Sequence, residues 1–270
     1  MCIMISNELT NYPVIFIHGI AGTLKDWEST IKQISSDQYF DIRYLEKNKV
    51  YNNYYGEKVK QWFWNASYYT NSILEESING NLGLYALRLK NIINLIKQIT
   101  GHQKFVIIAH SMGGLVARKY MTLSQSNWDS VHKLLTVATP NLGIAISIDL
   151  IQQLRDLKRN SKFIEKLTKK WEEFYKNSDY KKWGVIGGIN TKAGYSTKND
   201  PNATDSAGIG YVEISSSIPY DEWKDAIDEN IEKESFDTTN FGFRLAVKAN
   251  HVEILENEGT IRGINWARTF

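Results

Sequence analysis

The sequence has 270 residues, and its 32 lysines and arginines nearly balance its 30 aspartates and glutamates, for a formal net charge of +2. This balance gives no sign of a nucleic-acid partner, and no stretch has the apolar length of a membrane span. The length suffices for a full hydrophobic core, so we predict a single domain over residues 1–270, and the lone Cys2 excludes a disulfide within one chain.

Buried strands alternate with helices along most of the chain. Val14–Ile17 is a continuous apolar run typical of a buried strand, and it leads into the glycine-containing loop His18–Thr23. This alternation predicts a mostly parallel central sheet with helices on both faces. The further elements predicted, in chain order, are a helix over 25–34, strands over 40–45 and 60–69, a helix over 84–99, a strand from 105, a helix over 112–123, strands over 134–138 and 184–188, a strand over 245–247 and a helix over 260–270.

The most informative motif follows the strand that begins at Phe105. Its apolar run ends at Ala109-His110-Ser111-Met112-Gly113, and a helical pattern begins directly afterwards. This order is typical of a sharp strand-to-helix turn that presents a serine at a helix N-terminus, where developing negative charge is favoured. Alanine stands where the G-x-S-x-G pattern has its first glycine. We predict that Ser111 is a nucleophile; the alternative is a serine N-cap on an ordinary turn.

A serine hydroxyl needs a base, and the base needs an orienting acid. His251 is the candidate base because it follows the last predicted strand, and parallel sheets present their chemistry at the carboxyl ends of strands. In a nucleophile-elbow fold the acid lies between the serine and the histidine in chain order. Asp205 is the first choice and Asp200 the second, both in a polar, turn-rich loop.

Acyl transfer also requires two backbone donors aimed at the developing oxyanion. The Met112 N–H is one candidate, because it follows the nucleophile at the start of a helix. The other would come from Ile20 or Ala21, in a loop where Gly19 lets the backbone approach closely and His18 shapes the site. No cluster of histidine, cysteine and aspartate has metal-ligand spacing, so neither a metal nor another cofactor is expected.

Residues 144–182 interrupt the alternation of strands and helices. Ile164, Leu167, Trp171 and Phe174 repeat at helical spacing among many lysines, which predicts an amphipathic, basic helical insertion. One interpretation is an ordinary helix on the outside of the sheet. The other is a cap or lid beside the site that makes transient contact with an anionic lipid interface.

Four segments together resemble the lipases and esterases of the α/β-hydrolase superfamily, notably the bacterial triacylglycerol-lipase-like and GPI-inositol-deacylase-like members. The segments that carry the resemblance are Val14–Gly22, Ala109–Gly114, Val137–Gly143 and the late His251. The resemblance covers most of the chain between 13 and 255, and it is weakest over 144–182 and 215–245.

This resemblance implies an α/β-hydrolase fold with Ser111 as nucleophile, His251 as base, and Ile20 and Met112 as oxyanion donors. The family acid usually stands in an Asp-Gly-x-Val-Pro segment, and the stretch that begins at Asp205 is a longer form of it. The sequence thus predicts a metal-independent serine hydrolase of carboxylic esters, with a small-molecule or lipid ester as substrate.

Two alternatives stay open: an acyltransferase or amidase on the same triad, and a catalytically silent hydrolase fold used as a binding module. The first residues carry no secretory leader, so a cytoplasmic location is expected. The sequence does not predict the oligomeric state.

Overall fold

In the computed structural model of the chain, a single sheet organises the fold. The strands are β1 (Val14–Ile17), β2 (Phe40–Tyr44), β3 (Val50–Asn52), β4 (Phe63–Ser67), β5 (Phe105–His110), β6 (Val131–Val137), β7 (Trp183–Gly188), β8 (Ser235–Phe236) and β9 (Phe243–Val247). The residues that the structure describes are 8–35, 38–70, 76, 80–145, 151–178, 181–190, 202–206, 212–226 and 232–270.

The sheet is mostly parallel, as predicted. Its strand order is β3-β2-β4-β1-β5-β6-β7-β9-β8. The pairs from β2 to β9 across the centre are parallel, and the antiparallel pairs β2–β3 and β8–β9 lie at the two edges. Parallel strands bring their carboxyl ends to the same side of a sheet, so the residues directly after β1, β4, β5, β6, β7 and β9 lie on that side.

Helices cover both faces of this sheet. Side chains alternate along β1, so that Ile15 and Ile17 join the core on one face while Val14 and Phe16 join the core on the other. The helices are α1 (Glu28–Ile34), α2 (Leu82–Thr100), α3 (Met112–Met121), α4 (Gln125–Ser130), α5 (Gln152–Leu157), α6 (Lys162–Lys176), α7 (Ile214–Ser217), α8 (Trp223–Ala226) and α9 (Glu258–Arg268), with a 3-10 helix over Glu253–Glu256.

The ends of α2 show how local sequence sets an element's bounds. The Asn81 side chain accepts a hydrogen bond from the Leu84 N–H and caps the first turn. Gly101 ends the helix with φ of 73°, a left-handed conformation that glycine adopts without steric cost. The helix therefore extends slightly beyond the predicted 84–99 at both ends.

The insertion contributes α5 and α6. Helix α6 buries Ile164, Leu167 and Trp171, while its lysines face solvent. The Trp171 ring packs edge-on against Trp183 of β7, with 4.9 Å between ring centroids. Helix α6 therefore lies against the sheet face beside α3. Among the described residues, no helix combines the length and the apolar character that crossing a lipid bilayer requires.

Candidate active site

Ser111 stands at the turn between β5 and α3, in a strained backbone conformation. Its φ of 52° and ψ of −130° lie outside the regions that residues with a side chain readily adopt. Backbone hydrogen bonds hold the turn: the Ser111 N–H donates to the Val137 carbonyl at 2.9 Å, and the Gly114 N–H donates to the Ser111 carbonyl at 3.0 Å. The predicted strand–turn–helix arrangement is therefore present, with the serine at its tip.

Small residues let three loops meet at this turn. A Cβ atom placed on Gly113 would lie 2.4 Å from the backbone oxygen of His18, and one on Gly114 would lie 2.1 Å from Thr139 Oγ1. A Cβ atom on Gly19 would lie 2.8 Å from the Ser111 Cβ. Because real Cβ contacts are longer than these, side chains at the three glycines would push the loops apart.

The histidine lies within hydrogen-bonding distance of both the serine and one of the two candidate acids. His251 Nε2 lies 2.9 Å from Ser111 Oγ, and His251 Nδ1 lies 2.7 Å from Asp205 Oδ2. Asp205 is fully buried, and its Oδ1 accepts a hydrogen bond from the Val212 N–H at 2.6 Å. Asp200 lies outside the described residues.

The hydrogen-bond partners assign the tautomer of this imidazole. A carboxylate oxygen can only accept, so His251 Nδ1 carries the proton that it donates to Asp205, and Nε2 is free to accept from the Ser111 hydroxyl. The backbone supports the same pairing, because the His251 N–H donates to the Asp205 carbonyl at 2.7 Å. This arrangement can remove a proton from the serine hydroxyl and stabilise the resulting imidazolium.

The His110 side chain contacts the loop that carries His251. Its Nε2 donates to the His251 carbonyl at 2.9 Å, and the two imidazole rings lie 4.7 Å apart. Burial lowers the pKa of His110 well below its ordinary value, and the neighbouring His251 lowers it further, so the ring stays neutral.

Among the described residues, the backbone N–H groups of Ile20 and Met112 are free to bind an oxyanion, whereas that of Ala21 is already engaged. Within the described part of the chain, neither the Ile20 N–H nor the Met112 N–H donates a hydrogen bond. The Ala21 N–H, by contrast, donates to the Tyr69 hydroxyl at 3.2 Å. Of the two alternatives left open by the sequence, Ile20 therefore has the available donor.

Side chains at the carboxyl end of β4 hold this loop in place. Ser67 Oγ donates to His18 Nε2 at 2.9 Å, and the opposite ring nitrogen, Nδ1, donates to the Gly19 carbonyl at 2.9 Å. Because that carbonyl shares a peptide plane with the Ile20 N–H, the His18 ring fixes the direction of the donor. The Tyr68 hydroxyl also donates to the His18 carbonyl at 3.0 Å. Burial lowers the pKa of His18, which keeps the ring neutral in this role.

Sequence reasoning missed the residues that support the loop. Ser67 ends the parallel strand β4, Tyr68 and Tyr69 follow it directly, and this position at the carboxyl end of a strand was the available signal. Gln153 of α5, which accepts a hydrogen bond from Tyr69, carried no signal at all in its sequence context.

Comparison with known proteins places the chain in a family. The family described as "PGAP1-like alpha/beta domain" matches residues 8–207, which include Ser111 and Asp205 but not His251. The chain belongs to this family. The resemblance to GPI-inositol-deacylase-like hydrolases is thereby confirmed.

Curated relatives of this PGAP1-like domain agree. The GPI inositol-deacylase of Mus musculus is 29% identical over 141 residues, which are 52% of this chain and 14% of that protein. The GPI inositol-deacylase of Xenopus laevis is 30% identical over 149 residues, 53% of this chain and 14% of that protein. This chain thus spans about one-seventh of the length of these relatives.

Solved structures show the same fold. The product of the gene lin2722 of Listeria innocua has a TM-score of 0.60 at 15% identity, covering 94% of this chain and 92% of that one. The mature lipase BlEst2 of Bacillus licheniformis has a TM-score of 0.57 at 15% identity, covering 96% and 92%. The chain is a lipase- and esterase-like α/β-hydrolase domain with GPI inositol-deacylase homologues.

Proposed function

We propose that this PGAP1-like domain is a serine hydrolase of carboxylic esters that works through an acyl-enzyme on Ser111. One observation carries the proposal: the continuous hydrogen-bonded chain from Ser111 Oγ through His251 to the buried carboxylate of Asp205, with separations of 2.9 and 2.7 Å. A strained serine held at a helix N-terminus beside such a pair is the arrangement of an activated nucleophile.

In the first half-reaction, Ser111 Oγ attacks the ester carbonyl carbon while its proton passes to His251 Nε2. Asp205 accepts the Nδ1 hydrogen bond and stabilises the imidazolium. The carbonyl oxygen becomes an oxyanion that receives hydrogen bonds from the Ile20 and Met112 N–H groups. When the tetrahedral adduct collapses, the alcohol leaves with the proton from Nε2 and the acyl group stays on Ser111.

In the second half-reaction, water takes the place of the alcohol. His251 Nε2 removes a proton from the water molecule, whose oxygen attacks the acyl carbon. The Ser111–acyl bond then breaks, and the proton on Nε2 returns to Ser111 Oγ as the carboxylic acid leaves.

The substrate class follows from the relatives. Because they are GPI inositol-deacylases, an ester that joins a fatty acyl group to an inositol-containing lipid is the first natural candidate. We infer a lipid-like acyl group more generally, and residues 144–182 are proposed to form a cap beside the site. Stimulation of turnover by detergent micelles, without a change in Ser111 labelling at saturation, would support a cap that opens.

The deciding experiment combines turnover with active-site labelling. Wild type and Ser111→Ala are compared on p-nitrophenyl esters from C2 to C16, with a fluorophosphonate label mapped by peptide mass spectrometry. We expect label on Ser111 and a loss of kcat of about five to six orders of magnitude in the variant. Near-full turnover by Ser111→Ala would overturn the mechanism, and a folded wild type with neither label nor turnover would favour a silent binding module.

A further inference from the structure

Helix α5 of the insertion reaches the loop that precedes α1 through two buried side chains. The Tyr69 hydroxyl accepts a hydrogen bond from the Ala21 N–H at 3.2 Å and donates to Gln153 Oε1 at 3.2 Å. Gln153 is fully buried, and Tyr69 is 4% exposed. A single hydroxyl group therefore separates the insertion from the backbone beside the candidate oxyanion donor of Ile20.

The orientation of the Gln153 side-chain amide is fixed by the hydrogen bonds of its nitrogen. Its Nε2 donates to the Glu76 carbonyl at 2.6 Å and to the Tyr85 hydroxyl at 2.8 Å. With both N–H groups taken, Oε1 has to face Tyr69. Burial raises the pKa of the Tyr69 hydroxyl well above its usual value, so the hydroxyl keeps the proton that it donates to Gln153.

The contact with Ala21 restrains the loop on the side of Ile20 that lies opposite Gly19. Ala21 has φ of 53°, a left-handed conformation that costs an alanine free energy, and its N–H is directed to Tyr69 rather than into the site. Without this hydrogen bond the loop would keep its contacts through His18 and Tyr68 but lose its restraint at Ala21, and the neighbouring Ile20 N–H would shift with that residue. A shift of about 1 Å in a catalytic group can cost about 100-fold in rate.

We propose that Gln153 and Tyr69 are positioning residues, through which the insertion sets the geometry of the oxyanion loop without touching substrate. This inference rests on the proposed serine-hydrolase function. The insertion then contributes to stabilising the transition state as well as lying against the sheet. Its contribution would be specific to the charged tetrahedral adduct, because the Ile20 N–H is proposed to bind the oxyanion and not the acyl chain.

The test uses Tyr69→Phe and Gln153→Leu, singly and together, with Tyr120→Phe as matched control. Tyr120 is similarly buried, and among the described residues its hydroxyl has one hydrogen-bond partner, Ser130 Oγ at 3.3 Å, at the end of α3 far from the loop. We expect kcat to fall about 10- to 100-fold in each single variant with KM within about twofold, and the double variant to lose little more than either single one. Tyr120→Phe should lose comparable thermal stability and keep its kcat.

A second readout separates positioning from general destabilisation. A trifluoromethyl ketone adds Ser111 Oγ to its carbonyl and places an oxyanion in the site, whereas an ether analogue of the same chain length does not. In Tyr69→Phe, the inhibition constant of the ketone should weaken by the same factor as kcat/KM, and that of the ether should not change.

Equal weakening of both inhibitors, or unchanged kcat in Tyr69→Phe, would overturn the positioning role. The proposed function fails separately, when wild-type turnover does not depend on Ser111. Measuring Ser111→Ala in the same series keeps these two failures distinct.

Discussion

The two sides of the candidate site are held by different means. On the side of the turn between β5 and α3, Ser111 occupies a strained conformation. Gly113 and Gly114 of the same turn allow backbone and side-chain atoms to approach within distances that a Cβ atom would prevent. On the opposite side, the loop that contains Ile20 rests on hydrogen bonds from side chains, including that of Tyr69. One side is set by sterics and the other by polar contacts, so the two should respond differently to mutation.

After loss of the nucleophile itself, the largest effect on kcat is expected from the acid that orients His251. Asp205→Asn keeps the size of the side chain but removes the carboxylate that fixes the Nδ1–H tautomer, and we expect kcat to fall about 10⁴-fold. Steady-state kinetics on a short-chain p-nitrophenyl ester measures it. Asp200→Asn is the matched control, since Asp200 was the alternative acid. Normal turnover by Asp205→Asn together with a collapse in Asp200→Asn would reverse the assignment.

Substitutions at two adjacent glycines should disrupt the close packing around the Ser111 turn, with different outcomes. Gly113→Ala places a methyl group against the backbone oxygen of His18, whereas Gly114→Ala places one against the Thr139 side chain. We expect each to lower the free energy of unfolding by about 1 to 3 kcal/mol, measured by urea denaturation, with a loss of activity. Thr139→Ala should partly rescue Gly114→Ala, because it removes the Oγ1 and Cγ2 atoms at 2.1 and 2.6 Å and leaves only the Cβ atom at 2.8 Å, and it should leave Gly113→Ala unimproved.

The difference between the sterically held turn and the hydrogen-bonded loop explains how much of this protein could be predicted from its sequence. The strand, turn and helix around Ser111 were predicted because close packing dictates small residues at fixed spacing in the chain. His251 and Asp205 were predicted by their order relative to the strands, and the structure brings both to Ser111. Their catalytic roles remain predictions.

The polar support of the opposite loop could not be predicted in the same way. Tyr69 and Gln153 are 84 positions apart, and their hydrogen bond requires only that two buried polar groups meet in the fold. Many residue types could satisfy such a contact, so no pattern in the sequence marks it. Sequence motifs therefore describe the steric half of the site and omit the half that depends on distant side chains.

Two buried histidines, one on each side, provide a test by pH. Burial lowers the pKa of both His18 and His110 below the ordinary value of 6.5. As pH falls through 6.5, the unfolded chain binds protons that the folded chain does not, so the free energy of unfolding is highest above pH 6.5 and decreases below it.

We expect a slope of about 1.4 kcal/mol per pH unit for each histidine that stays neutral. Urea denaturation between pH 7.5 and pH 5 measures this slope of the free energy of unfolding against pH. His110→Gln should reduce the slope by the contribution of one histidine. A slope that is identical in wild type and His110→Gln would show that His110 protonates in the folded state as readily as in the unfolded one.

The smallest predicted effect is on the free energy of unfolding of a variant at Ser111. Its sign distinguishes a residue held under strain from one held by hydrogen bonds. Glycine readily adopts the backbone conformation of Ser111, so Ser111→Gly should release strain while abolishing turnover. Because glycine also loses more chain entropy on folding, we expect a net gain in the free energy of unfolding of about 1 kcal/mol relative to Ser111→Ala. At ordinary positions the order is reversed, and alanine is the more stable residue.

Ser111→Ala is the right reference because it also lacks the hydroxyl but keeps the Cβ atom that makes the conformation strained. On the other side of the site, Tyr69→Phe should lower stability, since it leaves the Ala21 N–H and Gln153 Oε1 without a partner. Opposite signs would establish that the nucleophile is held against a conformational cost while its oxyanion loop is held by favourable contacts. If Ser111→Gly were less stable than Ser111→Ala, the turn would store no strain, and sterics would not distinguish the two sides.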